Sequence, residues 1–161
     1  VCISPWGVRI GKKVSVGERV VIKFQTSIGD VTSINNSCVI GNTGFQVIRF
    51  KDHRLSVVHT GNVIIGEGVQ IGERTSVDRG LFGGTTSVGP FTQIGSHTII
   101  GHNIKIGSHC IIGDSVAIGG KSIIGDRVTI GNNVSIANRI KIESSSTIIA
   151  DSIITRDVKN S

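Results

Sequence analysis

The sequence predicts an all-β fold, a parallel β-helix of short strands, and three observations support this prediction. An aliphatic residue recurs every six positions, beginning with Ile10, Val16 and Ile22 and ending with Ile154, in 21 units. A strict period of six fits neither a helix, with a period of 3.6, nor a plain strand, with a period of 2. Glycine makes up 22 of the 161 residues and aromatic residues only 4%, which suits a narrow core of small side chains.

Each unit repeats the same arrangement of residue types. The first position is aliphatic, the second is usually glycine, and the fifth is small or aliphatic, as at Thr98, Cys110 and Val116. We expect the first and fifth positions to line the core, and the second to turn the corner, where glycine tolerates a positive φ. A turn of about 120° per unit closes one coil in about three units, and stacked coils pair as parallel strands about 4.8 Å apart. The 21 units therefore predict about seven coils.

The units form three runs, Ile10 to Ile40, Ile65 to Val77 and Val88 to Ile154, separated by two breaks. The first break is 25 residues, one more than four units, and the second is 11 residues, one fewer than two units. We interpret residues 44–63 as a long loop inserted at a corner, and such loops usually serve function or assembly. We predict one domain over 1–161, with a degenerate last coil or cap over 143–161.

Charge and cysteine usage restrict the partners and the compartment. The net charge of +6 favours anionic partners, but Lys and Arg are scattered without interleaved aromatic residues, so no nucleic-acid partner is predicted. Neither a membrane span nor a signal-peptide pattern is present. The chain starts at Val1 without methionine, which indicates a processed or excised piece. Cys38 and Cys110 fall at fifth positions, and we predict reduced core residues of a cytoplasmic protein.

Three segments resemble a known family in sequence and order. Residues 40–45 read IGNTGF, residues 77–80 read VDRG, and residues 100–103 read IGHN. Together with the six-residue repeat, they resemble the UDP-3-O-acylglucosamine N-acyltransferases of lipid A synthesis. The resemblance implies a left-handed β-helix and a homotrimer with clefts between subunits. It also implies a nucleotide-sugar substrate and an acyl-carrier protein or acyl-CoA donor, with no permanently bound cofactor.

The chain departs from the family pattern at several positions. Thr43 replaces the family's Asp, Gln46 and Val47 stand where its Tyr is expected, and Arg139 takes the place of a second His. The family's N-terminal nucleotide-binding domain has no counterpart in this sequence. These departures leave open a related enzyme that acylates another amino sugar, and also an inactive relative.

The resemblance assigns the role of general base to His102. Histidine suits this role, because an imidazole titrates near neutral pH. Gly120 lies one coil further on the same edge, about 5 Å away, and its N–H is a candidate oxyanion donor. Asn103 is expected to orient the ligand or the backbone. Arg139, two coils along, is expected to hold a phosphate or the sugar.

Three further residues are candidate substrate contacts. Asp78 and Arg79 occupy a predicted corner, where they can contact the substrate or a neighbouring chain, or form an exposed ion pair of little energetic value. Phe45 stands at the start of the loop, where it can cover an acyl chain or sugar, or simply anchor the loop. His53 and His59 lie within the loop and are expected on the surface.

Three function classes remain open at this point. We favour an N-acyltransferase acting on a nucleotide-linked amino sugar, and the main alternative is a non-catalytic trimeric scaffold. His97, His102 and His109 also suggest a metalloenzyme such as the γ-class carbonic anhydrases, which share the fold. Their units occupy three successive faces, so one subunit cannot bring them within the roughly 2 Å that a shared ion requires. We predict no metal site within one chain, and a site shared between subunits stays open.

Overall fold

The aliphatic residue that begins each six-residue unit lies in a short strand, as the period predicts. The computed structural model describes residues 1–160, in which the regular structure consists of strands and turns without helices. All 21 units form strands, and the prediction of an all-β parallel β-helix is confirmed. The last residue of the predicted cap, Ser161, lies outside the described residues.

The strands form three faces of a prism. The first face contains Cys2–Ile3, Val21–Ile22, Val39–Asn42, Ser76–Asp78, Ile99–Ile100, Ala117–Ile118, Ser135–Ile136 and Ile153–Ile154. The second contains Arg9–Ile10, Thr26–Ile28, Asn62–Ile65, Thr85–Val88, Lys105–Ile106, Ile123–Ile124 and Lys141–Ile142. The third contains Ser15–Val16, Ser33–Ile34, Gln70–Ile71, Gln93–Ile94, Ile111–Ile112, Thr129–Ile130 and Thr147–Ile148. An antiparallel hairpin, Val47–Arg49 with Arg54–Ser56, stands apart from the faces.

Both ends of the prism extend beyond the clear repeat. The strand Cys2–Ile3 pairs in parallel with Val21–Ile22, although Ile3 precedes Ile10 by seven residues and so breaks the six-residue count. At the other end, Thr147–Ile148 and Ile153–Ile154 still pair with the preceding coil. Val158 forms an isolated bridge with Ile142. The region predicted as a degenerate cap therefore continues the helix to Ile154.

The core is built from the first and fifth positions, as the pattern predicts. Several polar residues at the fifth position donate to the carbonyl of a glycine in the next coil, as Thr98 Oγ1 does to Gly113 O at 3.0 Å. The thiol of Cys110 makes the equivalent bond to Gly125 O, also at 3.0 Å. The cysteines are free, and burial raises the pKa of the Cys110 thiol. Cysteine and threonine are thus equivalent donors in this narrow core.

The corners differ from the prediction. The left-handed conformation falls at the fourth position of the unit, as at Asn103 (φ 58°), Lys121 (φ 65°) and Arg139 (φ 63°). The prediction that a glycine with positive φ turns each corner at the second position is wrong, with Gly41 (φ 82°) as an exception. Second-position glycines are needed for close approach between coils. A β-carbon on Gly107, for example, would lie 2.7 Å from the backbone nitrogen of Asp126.

Both insertions lie at the corner that joins the first face to the second, here called the first corner. Ile40 on the first face is followed by Ile65 on the second, after 25 residues instead of six. In the next coil, Val77 and Val88 make the same step in 11 residues. The residue count suggested that the second break is a pair of units shortened by one residue. The structure shows instead a single corner, lengthened by five residues. Two enlarged corners are stacked directly beside the corner that carries His102.

Candidate active site

The first corner brings His102 and Gly120 together. Each follows a first-face strand, at Ile100 and Ile118, and these two strands pair in parallel. A β-carbon on Gly120 would lie 2.5 Å from His102 Nε2 and 2.7 Å from its Cε1, so the imidazole rests against the glycine α-carbon. His102 is 9% exposed. Because it occupies the third position of its unit, its side chain lies outside the prism and is covered by the inserted segments.

Asn103 fixes the orientation of the His102 ring. Its Oδ1 accepts the Leu81 N–H at 2.8 Å and lies 3.1 Å from His102 Nδ1. Because an amide oxygen can only accept, this contact favours the tautomer with the hydrogen on Nδ1, in which Nε2 keeps its lone pair. The Asn103 N–H in turn donates to Thr86 Oγ1 at 2.8 Å. These contacts give Asn103 a positioning role towards His102 and the Leu81 backbone, whereas contact with a ligand stays a prediction.

His59 from the loop covers the other side of His102. The two ring centroids are 5.4 Å apart at an interplanar angle of 70°. His59 Nδ1 donates to Val57 O at 3.2 Å, and within residues 1–160 no hydrogen-bond partner is found for its buried Nε2. Burial lowers the pKa of His59 below its ordinary value. The expectation that His59 is a surface residue is wrong, because the loop folds back over the corner and carries this ring inward.

Asp78 and Arg79 are buried beneath the loop and not exposed at a corner as predicted. Arg79 is 1% exposed, and its guanidinium carbon lies 3.4 Å from the centre of the Phe24 ring. Its Nε donates to Gly41 O at 2.9 Å and one Nη to Phe24 O at 3.2 Å. These contacts hold the base of the loop, so direct substrate contact by Arg79 is not supported.

The Asp78 carboxyl is also enclosed. It is 8% exposed, and a β-carbon on Gly44 would lie 2.5 Å from its Oδ2. Burial raises the pKa of Asp78 to about 6, against the opposing influence of the nearby Lys23 ammonium and the Ser76 hydroxyl. Asp78 and Arg79 form no ion pair with each other, since the one side-chain salt bridge within the described residues joins Arg19 to Glu18. The alternative of an exposed ion pair is therefore wrong.

A cavity of about 220 Å³ opens in front of His102. Its wall is formed by the loop hairpin, by the second insertion and by three successive prism corners. The lining residues are Gln46, Ile48, Val57, Leu81, Phe82, His102, Gly120, Lys121, Asn138 and Arg139. The cavity thus combines an apolar side, two exposed cations and one imidazole nitrogen with a free lone pair.

The Gly120 N–H forms no hydrogen bond within residues 1–160. At several equivalent third positions on the other corners, the N–H is capped by a side chain one coil later, as Ser96 N is by Asp114 Oδ1 at 2.7 Å. The residue that would cap Gly120 in this way is Asn138. Asn138 Oδ1 lies close to Gly119, as Asp114 Oδ1 lies close to Gly95, but no bond to it from the Gly120 N–H meets hydrogen-bond geometry.

The remaining predicted residues divide between the cavity and the surface. Arg139 is exposed and lines the cavity, two coils from His102 as expected. Phe45 is 91% exposed and so does not anchor the loop within one chain. His97 and His109 lie on the other two corners, where they contact Arg74 and Phe91 respectively. No group of three His, Cys, Asp or Glu side chains suited to a metal occurs among the described residues.

Sequence comparison places this geometry in a class. Residues 85–120 and 103–138 match the family described as bacterial transferase hexapeptide (six repeats). Together with its structural neighbours, this match defines the chain as a left-handed parallel β-helix of hexapeptide repeats. Nothing in residues 1–160 forms a helix that could cross a membrane.

Two relatives with similar sequences are both named UDP-3-O-acylglucosamine N-acyltransferases. Over 77 residues, the chain is 35% identical to UDP-3-O-acylglucosamine N-acyltransferase 1 of Francisella tularensis, covering 47% of this chain and 22% of that protein. Over 68 residues it is 40% identical to the Coxiella burnetii UDP-3-O-acylglucosamine N-acyltransferase, covering 42% and 20%. The matched segments thus span about a fifth of these relatives.

Solved structures extend the similarity along the chain. LpxA from Acinetobacter baumannii has a TM-score of 0.64 and 27% identity, covering 98% of this chain and 63% of that one. LpxA from Bacteroides fragilis, described as a UDP-N-acetylglucosamine acyltransferase, has a TM-score of 0.80 and 24% identity, covering 98% and 66%. The second comparison supports the fold alone.

Proposed function

We propose that this chain carries an acyl-transfer site for a nucleotide-linked amino sugar, with an acyl thioester as donor. The observation that supports this most directly is the imidazole of His102 resting on Gly120 at the mouth of a cavity. The donor is an acyl-carrier protein or acyl-CoA, and no permanent cofactor takes part. We place the reaction in lipid A or surface-polysaccharide synthesis in the cytoplasm.

In the proposed reaction, the amine of the sugar attacks the thioester carbonyl. His102 Nε2 accepts the proton that the nitrogen loses as the new C–N bond forms. The Gly120 N–H donates to the oxyanion of the tetrahedral intermediate. When the C–S bond breaks, the imidazolium returns its proton to the departing thiolate. The products are an amide and a free thiol, and His102 ends in its starting state.

The surrounding residues supply orientation and charge. Asn103 Oδ1 holds the Nδ1–H tautomer that leaves Nε2 as the base. His59 excludes water from one side of the ring. The cations Lys121 and Arg139 line the cavity, where they can neutralise phosphate groups on the acceptor or donor.

A hydroxyl acceptor is the second candidate. The relatives with the higher identity are named N-acyltransferases, whereas two solved neighbours at 25% identity are described as UDP-N-acetylglucosamine acyltransferases. The same base and oxyanion donor serve either acceptor. Mass spectrometry of the product before and after mild alkali distinguishes them, since an ester is cleaved and an amide survives.

The test of the function is acyl transfer by His102→Ala, with His109→Ala as the matched control on another corner. We expect at least about a hundredfold lower turnover for the first variant and wild-type turnover for the second. Unchanged transfer by His102→Ala would refute the base assignment. If the wild-type chain neither turns over nor binds any thioester on a broad donor panel, the scaffold alternative is favoured. Stoichiometric zinc would favour the metalloenzyme.

The assembly is part of the same proposal. We propose a homotrimer whose clefts lie between neighbouring prisms, with Phe45 available to a neighbour or a ligand because it is exposed in one chain. Light scattering after gel filtration measures the mass of the assembly. A mass of three chains supports the trimer, and a monomer with full acyl transfer would show that one chain carries the whole site.

A further inference from the structure

The outer face of the loop hairpin carries two arginines that face each other across the strand pair. Strands Val47–Arg49 and Arg54–Ser56 pair antiparallel, with Arg49 directly opposite Arg54. Asp52, at the hairpin tip, is the single acidic residue between positions 41 and 66. In the part of the chain that the structure describes, neither arginine forms a salt bridge.

The hairpin geometry holds these two side chains close together. Phe50 N donates to His53 O, and Val57 N donates to Gln46 O, so these are the hydrogen-bonded pairs of the ladder. Pairs alternate along an antiparallel ladder, which makes Arg49 and Arg54 a non-hydrogen-bonded pair. In such pairs the α-carbons are about 4.5 Å apart and the side chains lie closer than in the other type.

Like charges directly opposite each other destabilise a strand pair. The two guanidinium groups therefore oppose the hairpin that carries them unless an anion lies between them. Arginine is suited to such an anion, because its planar fork binds phosphate oxygens in a bidentate manner. The same surface holds a cavity of about 330 Å³, lined by both arginines together with Phe45, Gln46 and Val47.

This outer cavity shares one lining residue with the active-site cavity. Gln46 lines both of them, whereas Ile48 faces the His102 side and Arg49 the outer side, as alternation along a strand requires. Gln46 thus marks the boundary between the two cavities, which lie on opposite sides of the hairpin. The exposed ring of Phe45 provides a surface for the apolar or aromatic part of a ligand bound at the arginines.

We propose that Arg49 and Arg54 form a phosphate-binding site for a substrate of this protein. Two substrates of the proposed reaction carry phosphate, the nucleotide of the sugar acceptor and the phosphopantetheine of the thioester donor. The choice between these two sources rests on the proposed function, whereas binding of phosphate by the arginine pair does not.

The experiment is calorimetric titration of the chain at low ionic strength with UDP, coenzyme A and inorganic pyrophosphate. We expect Arg49→Gln and Arg54→Gln each to weaken binding by about tenfold to a hundredfold, as for loss of a hydrogen bond to a charged group. The matched control, Arg156→Gln, removes the same charge at an exposed position far along the chain and is expected to bind as the wild type does. Preferential binding of UDP assigns the site to the acceptor, and preferential binding of coenzyme A assigns it to the donor.

A second variant separates loss of binding from loss of structure. Arg54→Glu places opposite charges across the strand pair, so we expect an equal or higher melting temperature together with loss of phosphate binding. The proposal is overturned if all three probes bind Arg49→Gln as tightly as they bind Arg156→Gln. It is also overturned if the arginines are needed only for binding to anionic-lipid vesicles. Binding is measured without turnover, so the two proposals can fail separately. If the wild-type chain binds UDP but transfers no acyl group, and Arg49→Gln weakens that binding, this site is supported and the proposed function is contradicted.

Discussion

The imidazole of His102 rests against the α-carbon of Gly120, the equivalent residue of the next coil. A β-carbon at Gly120 would approach His102 Nε2 to 2.5 Å, and the three atoms it would meet most closely all belong to this one ring. Gly120 does not have a positive φ, so its backbone would accept alanine. The absence of a side chain at position 120 is therefore required by the imidazole and not by the corner.

Gly120→Ala should remove activity while preserving the fold. The new methyl group must displace the imidazole, and a misplacement of about 1 Å can cost about a hundredfold in rate. We expect kcat to fall by about that factor, with a melting temperature close to that of the wild type. Steady-state kinetics and thermal unfolding measured on the same preparation check both expectations. Wild-type turnover by this variant would show that the ring position does not matter.

Asn103 should act on the reaction only through the orientation of His102. Asn103→Asp keeps an oxygen to accept from Leu81 N and His102 Nδ1, whereas Asn103→Ala removes it. We expect the Asp variant to retain most activity and the Ala variant to lose about a hundredfold in kcat, with little change in KM for either. A rise in KM with unchanged kcat for Asn103→Ala would instead indicate direct contact with the substrate.

The buried carboxyl of Asp78 should make stability depend on pH. Burial raises its pKa in the folded protein to about 6 from 3.8, so the folded state holds this proton more tightly than the unfolded state. Its contribution to stability is complete below about pH 4 and is lost as the pH rises through about 6. Asp78→Asn should remove this dependence, a difference of up to about 3 kcal/mol between the two ends of the window. Urea unfolding of both proteins across that range measures it, and parallel curves would contradict the burial of this carboxyl.

Glycines at the second position should be needed because neighbouring coils leave no space for a β-carbon, and not because the backbone has a positive φ. In Gly107→Ala the methyl group would lie 2.7 Å from the backbone nitrogen of Asp126, and we expect a loss of about 3 kcal/mol. Gly83 has a φ of 74° but no atom near its missing β-carbon, and Gly83→Ala should cost about 1 kcal/mol. Chemical denaturation of the two variants gives the comparison. The reverse order would mean that backbone conformation is the stronger constraint.

The regular part of the fold could be predicted from the sequence because one short-range pattern decides it. The first and fifth positions must be apolar or small in every coil, so each of the 21 units predicts its own strand. Cys2–Ile3 was missed because the seven residues to Ile10 break the period while the strand still pairs with Val21–Ile22. The fourth-position corner was missed because residues as different as Asn103, Lys121 and Arg139 adopt it, which leaves no common residue type to detect.

The candidate site could be predicted only where it lies on the prism. His102 and Gly120 are one coil apart in a regular repeat, so their adjacency follows from counting. His59 and Arg79 depend on how an irregular loop folds back over the corner, and no periodicity records that path. A buried arginine that stacks on Phe24 and binds two carbonyls looks in the sequence like any exposed corner cation.

Pairing between coils continues past both enlarged corners, with one register shift directly after Val77, where Asp78 pairs with Asn42. Ile40 pairs with Val77, and Val77 pairs with Ile100. These pairs form although Ile40 is 25 residues from Ile65, and Val77 is 11 residues from Val88, on the second face. Segments of different length can therefore be gained or exchanged at the first corner during evolution without shifting the strands that follow it. For protein engineering, the same corner offers a place to graft foreign peptides, where the tolerated length is set by the graft and not by the host.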